Sequence, residues 1–249
     1  MSIQIIRKNQ QARGQFNGGE ILENKPIGFP REGGHLKPYS NLFYWSHAWS
    51  DHGSTIGLHP HQGFEIMSFV LEGSIEHFDT AHKEWRRLDK GDAQIIRSGS
   101  GIAHSEKLNA GAHMFQIWLD PNLSETLQKA ASYNDYKAAD FPFDDSGRIR
   151  SRTYVGEKAP IKMDAKIEIK LIELQKGEQL LKLNRDQLHS FYLVKGNVVV
   201  ENQQLSKDDF FIVNETEGLT IIANEEASLF LLSSPEQLTY KTYAESMVL

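Results

Sequence analysis

His59 and His61 stand two apart in GLHPHQGFEIMSFVLEG, and His104 and Glu106 stand two apart in SGSGIAHSEKL. Side chains alternate faces along a β-strand, so each pair presents both of its members to one side of a sheet. Two strands that each supply such a pair can surround one ion. Three neutral imidazoles and a carboxylate make a donor set suited to Fe(II), Mn(II), Ni(II), Cu(II) or Zn(II), and an octahedral preference leaves two positions for water, dioxygen or substrate. An open position points to chemistry, where a closed one would point to a structural staple. Glu65 joins the face of His59 and His61 if their strand runs on without a bulge, so it is a second candidate carboxylate. His35, His47, His52, His77, His82, His113 and His189 have no paired neighbour with a carboxylate and receive no role. The chain has no cysteine, which removes disulfides, thiolate ligands and Cys nucleophiles together.

The elements that must position these residues read as strands. From Leu42 to Leu119 short alternating or β-branched runs are punctuated by turn residues: EGS at 72, DKGD at 89, SGSG at 98 and NAGA at 109. No long amphipathic helix separates them, so the pattern predicts an antiparallel all-β sandwich or barrel. Asn122 or Ser124 can cap a short helix running to about Ala131, followed by a polar, Pro-containing connection. From about Ile149 the pattern resumes with AKIEIKLIELQKGEQL, HSFYLVKGNVVV, DDFFIV, LTIIA and SLFLLSS.

The halves form a weak repeat. SFVLEGSIEHFD from Ser68 lies over FYLVKGNVVVEN from Phe191 with Gly73 on Gly196, and LDKGDAQII lies over LSKDDFFIV. Two copies of one β-fold are expected, an N-terminal metal-binding domain over 1–130 and a C-terminal domain over 131–249. In this alignment His59 and His61 fall on Lys182 and Asn184, and His104 and Glu106 fall near Ile221 and Ala223. The second copy is therefore expected to hold no metal, giving one ion per chain.

Composition narrows the class. The 249 residues are 39% hydrophobic and 24% charged, with a net charge of -6 and no concentrated basic patch, which argues against nucleic-acid binding. The opening MSIQIIRKNQ has no cleavage-site pattern, and no stretch approaches the roughly 18 apolar residues of a membrane span. A cytoplasmic protein without membrane contact is expected.

HPHQGFE, VLEG, KGDAQIIRSGSGIAHSE and MFQIWLDP, in that order across residues 57–121, resemble the pirin family of the cupin superfamily. The resemblance implies an all-β bicupin, two antiparallel β-barrels in tandem joined by a short helix. It implies a metal, usually iron, held in the first barrel by His59, His61, His104 and Glu106. The general cupin pattern would take its carboxylate from Glu65; the intact HSE favours Glu106 and leaves Glu65 to orient a histidine ring. Gln62 stands where many pirins carry Arg. Some bacterial members resemble quercetin 2,3-dioxygenases, which implies a flavonol or related aromatic substrate, O2 as co-substrate and Glu106 as the base. Gln116, with Trp118 on the same strand face, would line the substrate cavity. Resemblance to eukaryotic pirins implies the alternative, a metal- or redox-sensing module that binds a partner protein.

Overall fold

A computed structural model describes residues 1–29, 31–163 and 167–247. Ala165 and Lys166, which open one of the expected strand runs, lie outside the described residues. The chain is nearly all β. Its first half contains β1 (Ser2–Ile6), β2 (Ala12–Phe16), β3 (Ile21–Ile27), β4 (Leu42–Ser50), β5 (Ser54–His61), β6 (Glu65–Glu72), β7 (Ser74–Asp79), β8 (Trp85–Asp89), β9 (Ala93–Arg97), β10 (Ile102–Leu108), β11 (Ala112–Leu119), α1 (Leu123–Thr126) and β12 (Ser132–Tyr136). The second half contains β13 (Phe143–Asp145), β14 (Ile149–Val155), β15 (Glu168–Leu174), β16 (Gly177–Lys182), β17 (Gln187–Lys195), β18 (Asn197–Val200), β19 (Gln203–Ser206), β20 (Phe210–Asn214), β21 (Gly218–Ala223), β22 (Ala227–Pro235) and α2 (Tyr243–Ser246).

The chain divides into two compact units, one of residues 11–140 with 238–249, the other of residues 1–10 with 141–237. Each contains a seven-stranded and a four-stranded antiparallel sheet. In the first unit the orders are β12-β9-β6-β11-β4-β3-β2 and β5-β10-β7-β8; in the second they are β1-β20-β17-β22-β15-β14-β13 and β16-β21-β18-β19. The architecture is the expected antiparallel bicupin, although no ladder closes into a cylinder among the described residues. Val70, Ala112 and Met114 of the larger sheet pack against Ile75, Leu88 and Leu108 of the smaller one, which is the alternation of apolar residues converted into a core.

The division differs from the expected 130/131 boundary for two physical reasons. Asn122 does cap α1, accepting from the Ser124 backbone N–H, but the helix ends at Thr126. Ser132–Tyr136 then forms a strand bonded to β9, so the first unit keeps the chain to residue 140. The termini also exchange. Ile3 and Ile5 of β1 pack on the second unit's core while β1 pairs with β20, and Tyr240 and Tyr243 bond to Asp120 in the first unit.

The repeat is visible in the turns. Gly73 and Gly196 join equivalent strand pairs at φ +66° and +84°, and a Cβ on Gly196 would lie 2.6 Å from the Glu226 carbonyl oxygen. Only glycine adopts that conformation without strain in so close a turn. From this anchor Ser68 corresponds to Phe191 and His77 to Val200. Pairing registers carry the equivalence across each sheet. Glu106 lies opposite His77 as Ile221 lies opposite Val200. Gln94 and Gln116 flank Ser68 as Phe211 and Leu231 flank Phe191. His104 lies opposite His59 as Leu219 lies opposite Leu181.

The aligned positions of the second copy are thus corrected by one or two residues, to Leu181 and Leu183 for the β5 pair and Leu219 and Ile221 for the β10 pair. A linear alignment misses the shifts because β5 carries an extra residue in a bulge, with Glu106 opposite Ile56 although His104 is opposite His59, and because the chain from Gln94 to Glu106 is two residues longer than that from Phe211 to Ile221. Every one of these replacements is apolar, and Leu181, Phe191, Val200, Phe211, Leu219, Ile221 and Leu231 belong to one buried cluster.

Candidate metal centre

The centre is built from the inner faces of both sheets in the first unit. His59 and His61 share a face of β5, and β10 pairs with β5 so that His104 lies directly opposite His59. The three rings form a nearly regular triangle, with centroids 4.7 Å (His59 to His61), 4.4 Å (His59 to His104) and 4.7 Å (His61 to His104) apart. On the other side of β10, Glu106 lies opposite His77 of β7. His104, Glu106 and His77 are all fully buried. Two groups of converging donor atoms result, His59 with His61 and His104, and His77 with His104 and Glu106. His104 belongs to both.

Glu106 spans the sandwich. Its Oε1 accepts from Ser68 Oγ at 2.9 Å and from Gln94 Nε2 at 3.0 Å, while its Oε2 accepts from Gln116 Nε2. Those donors sit on β6, β9 and β11, adjacent strands of the larger sheet at one register level. Tyr133 of β12 donates to Gln94 Oε1 at 3.1 Å, and Trp118 Nε1 donates to Gln116 Oε1 at 3.0 Å, so both amides are held at both ends. Such outer contacts fix a carboxylate's direction before any ion arrives.

The hydrogen bonds also set tautomers. The Gly57 carbonyl accepts from His59 Nδ1 at 2.8 Å, which leaves the lone pair on Nε2. Asp79 accepts from His77 Nε2 at 3.0 Å, which leaves the lone pair on Nδ1. That Nδ1, His61 Nε2 and both nitrogens of His104 are buried without a hydrogen-bond partner. Leaving so many polar atoms unpaired is costly unless another partner takes them. Burial, followed by the neighbouring imidazoles, lowers His104 to about 2 and His61 to about 3. Both are therefore neutral at physiological pH and can donate lone pairs. The donor set fits a divalent transition metal, with nitrogen and oxygen ligands and no sulfur.

These pKa shifts fix a pH dependence. Above pH about 6.5, the value in an unfolded chain, both states carry neutral imidazoles and no linkage exists. Below it the unfolded chain binds protons that the folded chain refuses, so stability falls as pH drops from about 6.5 toward 3. From His104 alone the loss by pH 5 is on the order of 2 kcal/mol. The denaturation midpoint of metal-free protein should be lower at pH 5 than at pH 7.5; equal midpoints would contradict the neutral assignment.

The structure separates Glu65 from this group. The β5 strand ends at His61 and β6 begins at Glu65, with Gly63 between them at φ +81°, so alternation does not carry across. Ser68 faces the centre, and Glu65, three residues away on the same strand, faces the other side. There it is 3.7 Å from Arg97 Nε. Gln62 donates to the Ser100 carbonyl across the loop at 3.1 Å. Gln116, expected to meet substrate, is bonded to Glu106 and Trp118 instead, and it is Trp118 whose ring borders an open cavity. His77 was missed because its partner carboxylate lies across a strand pairing that spacing cannot show. The one local hint is Asp79, two residues on.

In the second unit, His189 accepts from Ser233 Oγ at 2.8 Å through Nδ1 and donates from Nε2 to the Asn184 carbonyl at 2.8 Å. Both nitrogens are committed. Elemental analysis of loaded protein should find one metal ion per chain, unchanged in His189→Ala. A second equivalent that survives the loss of His104 would refute this.

Comparison with known proteins agrees with the architecture. The Pirin family model matches residues 32–119. A pirin-like protein of Caulobacter vibrioides is 31% identical over 190 residues, 71% of this chain and 75% of that protein. The quercetin 2,3-dioxygenase of Escherichia coli K12 is 26% identical over 188 residues, 74% of this chain and 78% of that protein. The crystal structure of the bacterial pirin YhhW from E. coli in complex with nickel(II) superposes with a TM-score of 0.75 at 22% identity, over 95% of this chain and all of that one. With the motifs from His59 to Glu106 folded onto one cluster and a relative of this similarity covered over three quarters of its length, the chain belongs to the pirin family.

Proposed function

We propose that the protein is a metal-dependent dioxygenase of the quercetin 2,3-dioxygenase type, acting on a flavonol or related phenol with O2. The observation that carries the reading is the triangle of imidazoles, fully buried at His104 and half-buried at His59 and His61, beside a carboxylate held by three donors and next to an open aromatic cavity. The proposed ligands are His59, His61, His104 and Glu106, and His77 offers a further lone pair from the other side of His104. Iron is the proposed ion, and Mn, Ni, Cu and Zn suit the same donors. Once bound, such an ion would act as a Lewis acid toward the flavonol hydroxyl and as a template for the two reactants.

Glu106 is the proposed base. Three of its roughly four acceptor positions are occupied by Ser68, Gln94 and Gln116, so one of these donors must give way for the carboxylate both to hold the ion and to take the proton of the hydroxyl beside the ring carbonyl. The clamp keeps the carboxylate from swinging toward solvent, so the proton is taken at a fixed point. Gln116 and Trp118 link that point to the cavity wall, so a substrate seated on Trp118 and the base share one rigid connection. In the balanced reaction both atoms of O2 enter the ring-opened ester, and the hydroxyl-bearing carbon leaves with its oxygen as carbon monoxide.

The test is turnover of quercetin under air by metal-loaded protein, with O2 consumed and carbon monoxide released in equal amounts. Metal-free protein should be inactive. A fully loaded protein that leaves a panel of flavonols and simple phenols unchanged would refute the reading.

A further inference from the structure

We infer that the cavity beside Trp118 is a binding pocket for a planar aromatic anion that works without the metal, and that the C-terminal turn around Tyr243 is its specificity-determining wall. The inference deepens the proposed function and rests on it only for the fate of the bound molecule.

The cavity has a volume of about 880 Å³ and lies wholly within the first unit. That is large enough for a molecule of two or three rings, since ligand pockets usually run from about 300 to 1,000 Å³. Its aromatic wall joins distant parts of the chain. Phe43 and Phe64 are 4.7 Å apart, Phe64 meets Tyr243 edge-on at 5.7 Å and Trp118 at 5.7 Å, and Phe43 lies 6.0 Å from Tyr243. Rings set at such angles present both faces and edges to the space between them, which is the complement of a flat guest. Tyr243 is 39% exposed and Met247, also on the cavity, is 48% exposed. Apolar area of this kind left in water at the mouth of a cavity favours a ligand that covers it.

The charge at the lining chooses the ligand class. Arg31 and Lys37 both line the cavity, both are exposed, and neither makes an ion pair among the described residues. The one lining carboxylate, Glu245, is turned back into its own helix, where it accepts from the Thr242 backbone N–H at 2.8 Å. An aromatic floor with two unengaged cations suits a phenolate or an aryl carboxylate better than a neutral hydrocarbon.

The wall and the metal centre share an anchor. Asp120, buried at the end of β11, accepts from the backbone N–H groups of Tyr243 at 3.0 Å and Ala244 at 2.9 Å, and its carbonyl accepts from Tyr240 Oη at 2.9 Å. Two residues earlier, Trp118 borders the cavity with one part of its ring and meets His61 edge-on at 4.7 Å with another. A guest seated against Trp118 and Tyr243 is thus positioned one ring away from a proposed ligand by elements that do not include the metal.

The test is anaerobic titration calorimetry of metal-free protein with quercetin, ionised at mildly alkaline pH, and with flavone, a neutral flat analogue lacking hydroxyls. Metal-free wild type should bind quercetin, and His59→Ala should bind it as well. Arg31→Ala combined with Lys37→Ala should weaken quercetin by about tenfold or more while leaving flavone within about threefold, because only the charge is removed. Tyr243→Ala should weaken both probes by up to about tenfold, and Tyr243→Phe should restore both. The three positions are exposed, so the fold is not at stake. Binding that requires metal, or that is indifferent to all three positions, overturns the inference. Binding as described by a protein that never turns quercetin over would overturn the dioxygenase reading and leave this one standing.

Discussion

Replacing His104 with alanine is expected to abolish stoichiometric metal binding while the protein remains folded. His104 is the only residue common to both donor groups, so its loss leaves two imidazoles on one side and a His-carboxylate pair on the other. Neither remainder has three donors. Loss of an outer partner typically costs about 10- to 100-fold in affinity, and removal of a shared ligand should exceed that. The fold should survive because the imidazole makes no hydrogen bond with the rest of the chain. The apolar core cluster that includes Ile75, Leu88, Leu108 and Met114 does not contain it. Elemental analysis after loading, with circular dichroism as the fold control, measures the outcome. Full metal content in a folded variant would remove the proposed centre.

Glu106→Gln is expected to lower metal affinity by more than about 100-fold and to eliminate turnover, whereas Glu65→Gln should cost no more than about 10-fold. The reasoning is geometric. A glutamine at 106 brings an NH2 group toward Ser68, Gln94 and Gln116, which now donate to oxygens. One donor must then face another, or Gln116 must turn its amide and lose the bond from Trp118. Glu65 lies on the opposite face of β6, near Arg97, and its neutral amide would alter nothing that touches the imidazoles. Metal titration of both variants decides between the carboxylates, and the reverse ranking would transfer the ligand role to Glu65.

The sequence, through local regularities, determined a good part of this. Alternation along a strand is a property of the backbone, so the spacing of His59 with His61 and of His104 with Glu106 was enough to place each pair on one face. Turn residues marked the strand ends, and Gly73 and Gly196 marked the repeat, because a left-handed turn against which other backbone packs so closely favours glycine. Four motifs in order carried the family.

What the tertiary structure alone decided is which residues stand opposite one another. Pairing register depends on turns, bulges and crossovers far from the residues they bring together, and a slip of one residue reverses every face. Gly63 broke the alternation that would have carried Glu65 to the centre, the bulge in β5 moved the equivalents of its pair onto Leu181 and Leu183, and a connection two residues shorter moved those of the β10 pair onto Leu219 and Ile221. His77 and the clamp of Ser68, Gln94 and Gln116 came from four strands with no shared spacing, so nothing in the linear order announced them. The exchange of termini, which places Ile3 in one core and Tyr243 beside Asp120, follows from where edge strands and a capping carboxylate were left open. Local chemistry is written in neighbours along the chain, and cooperation between residues is written in contacts that only the folded sheets supply.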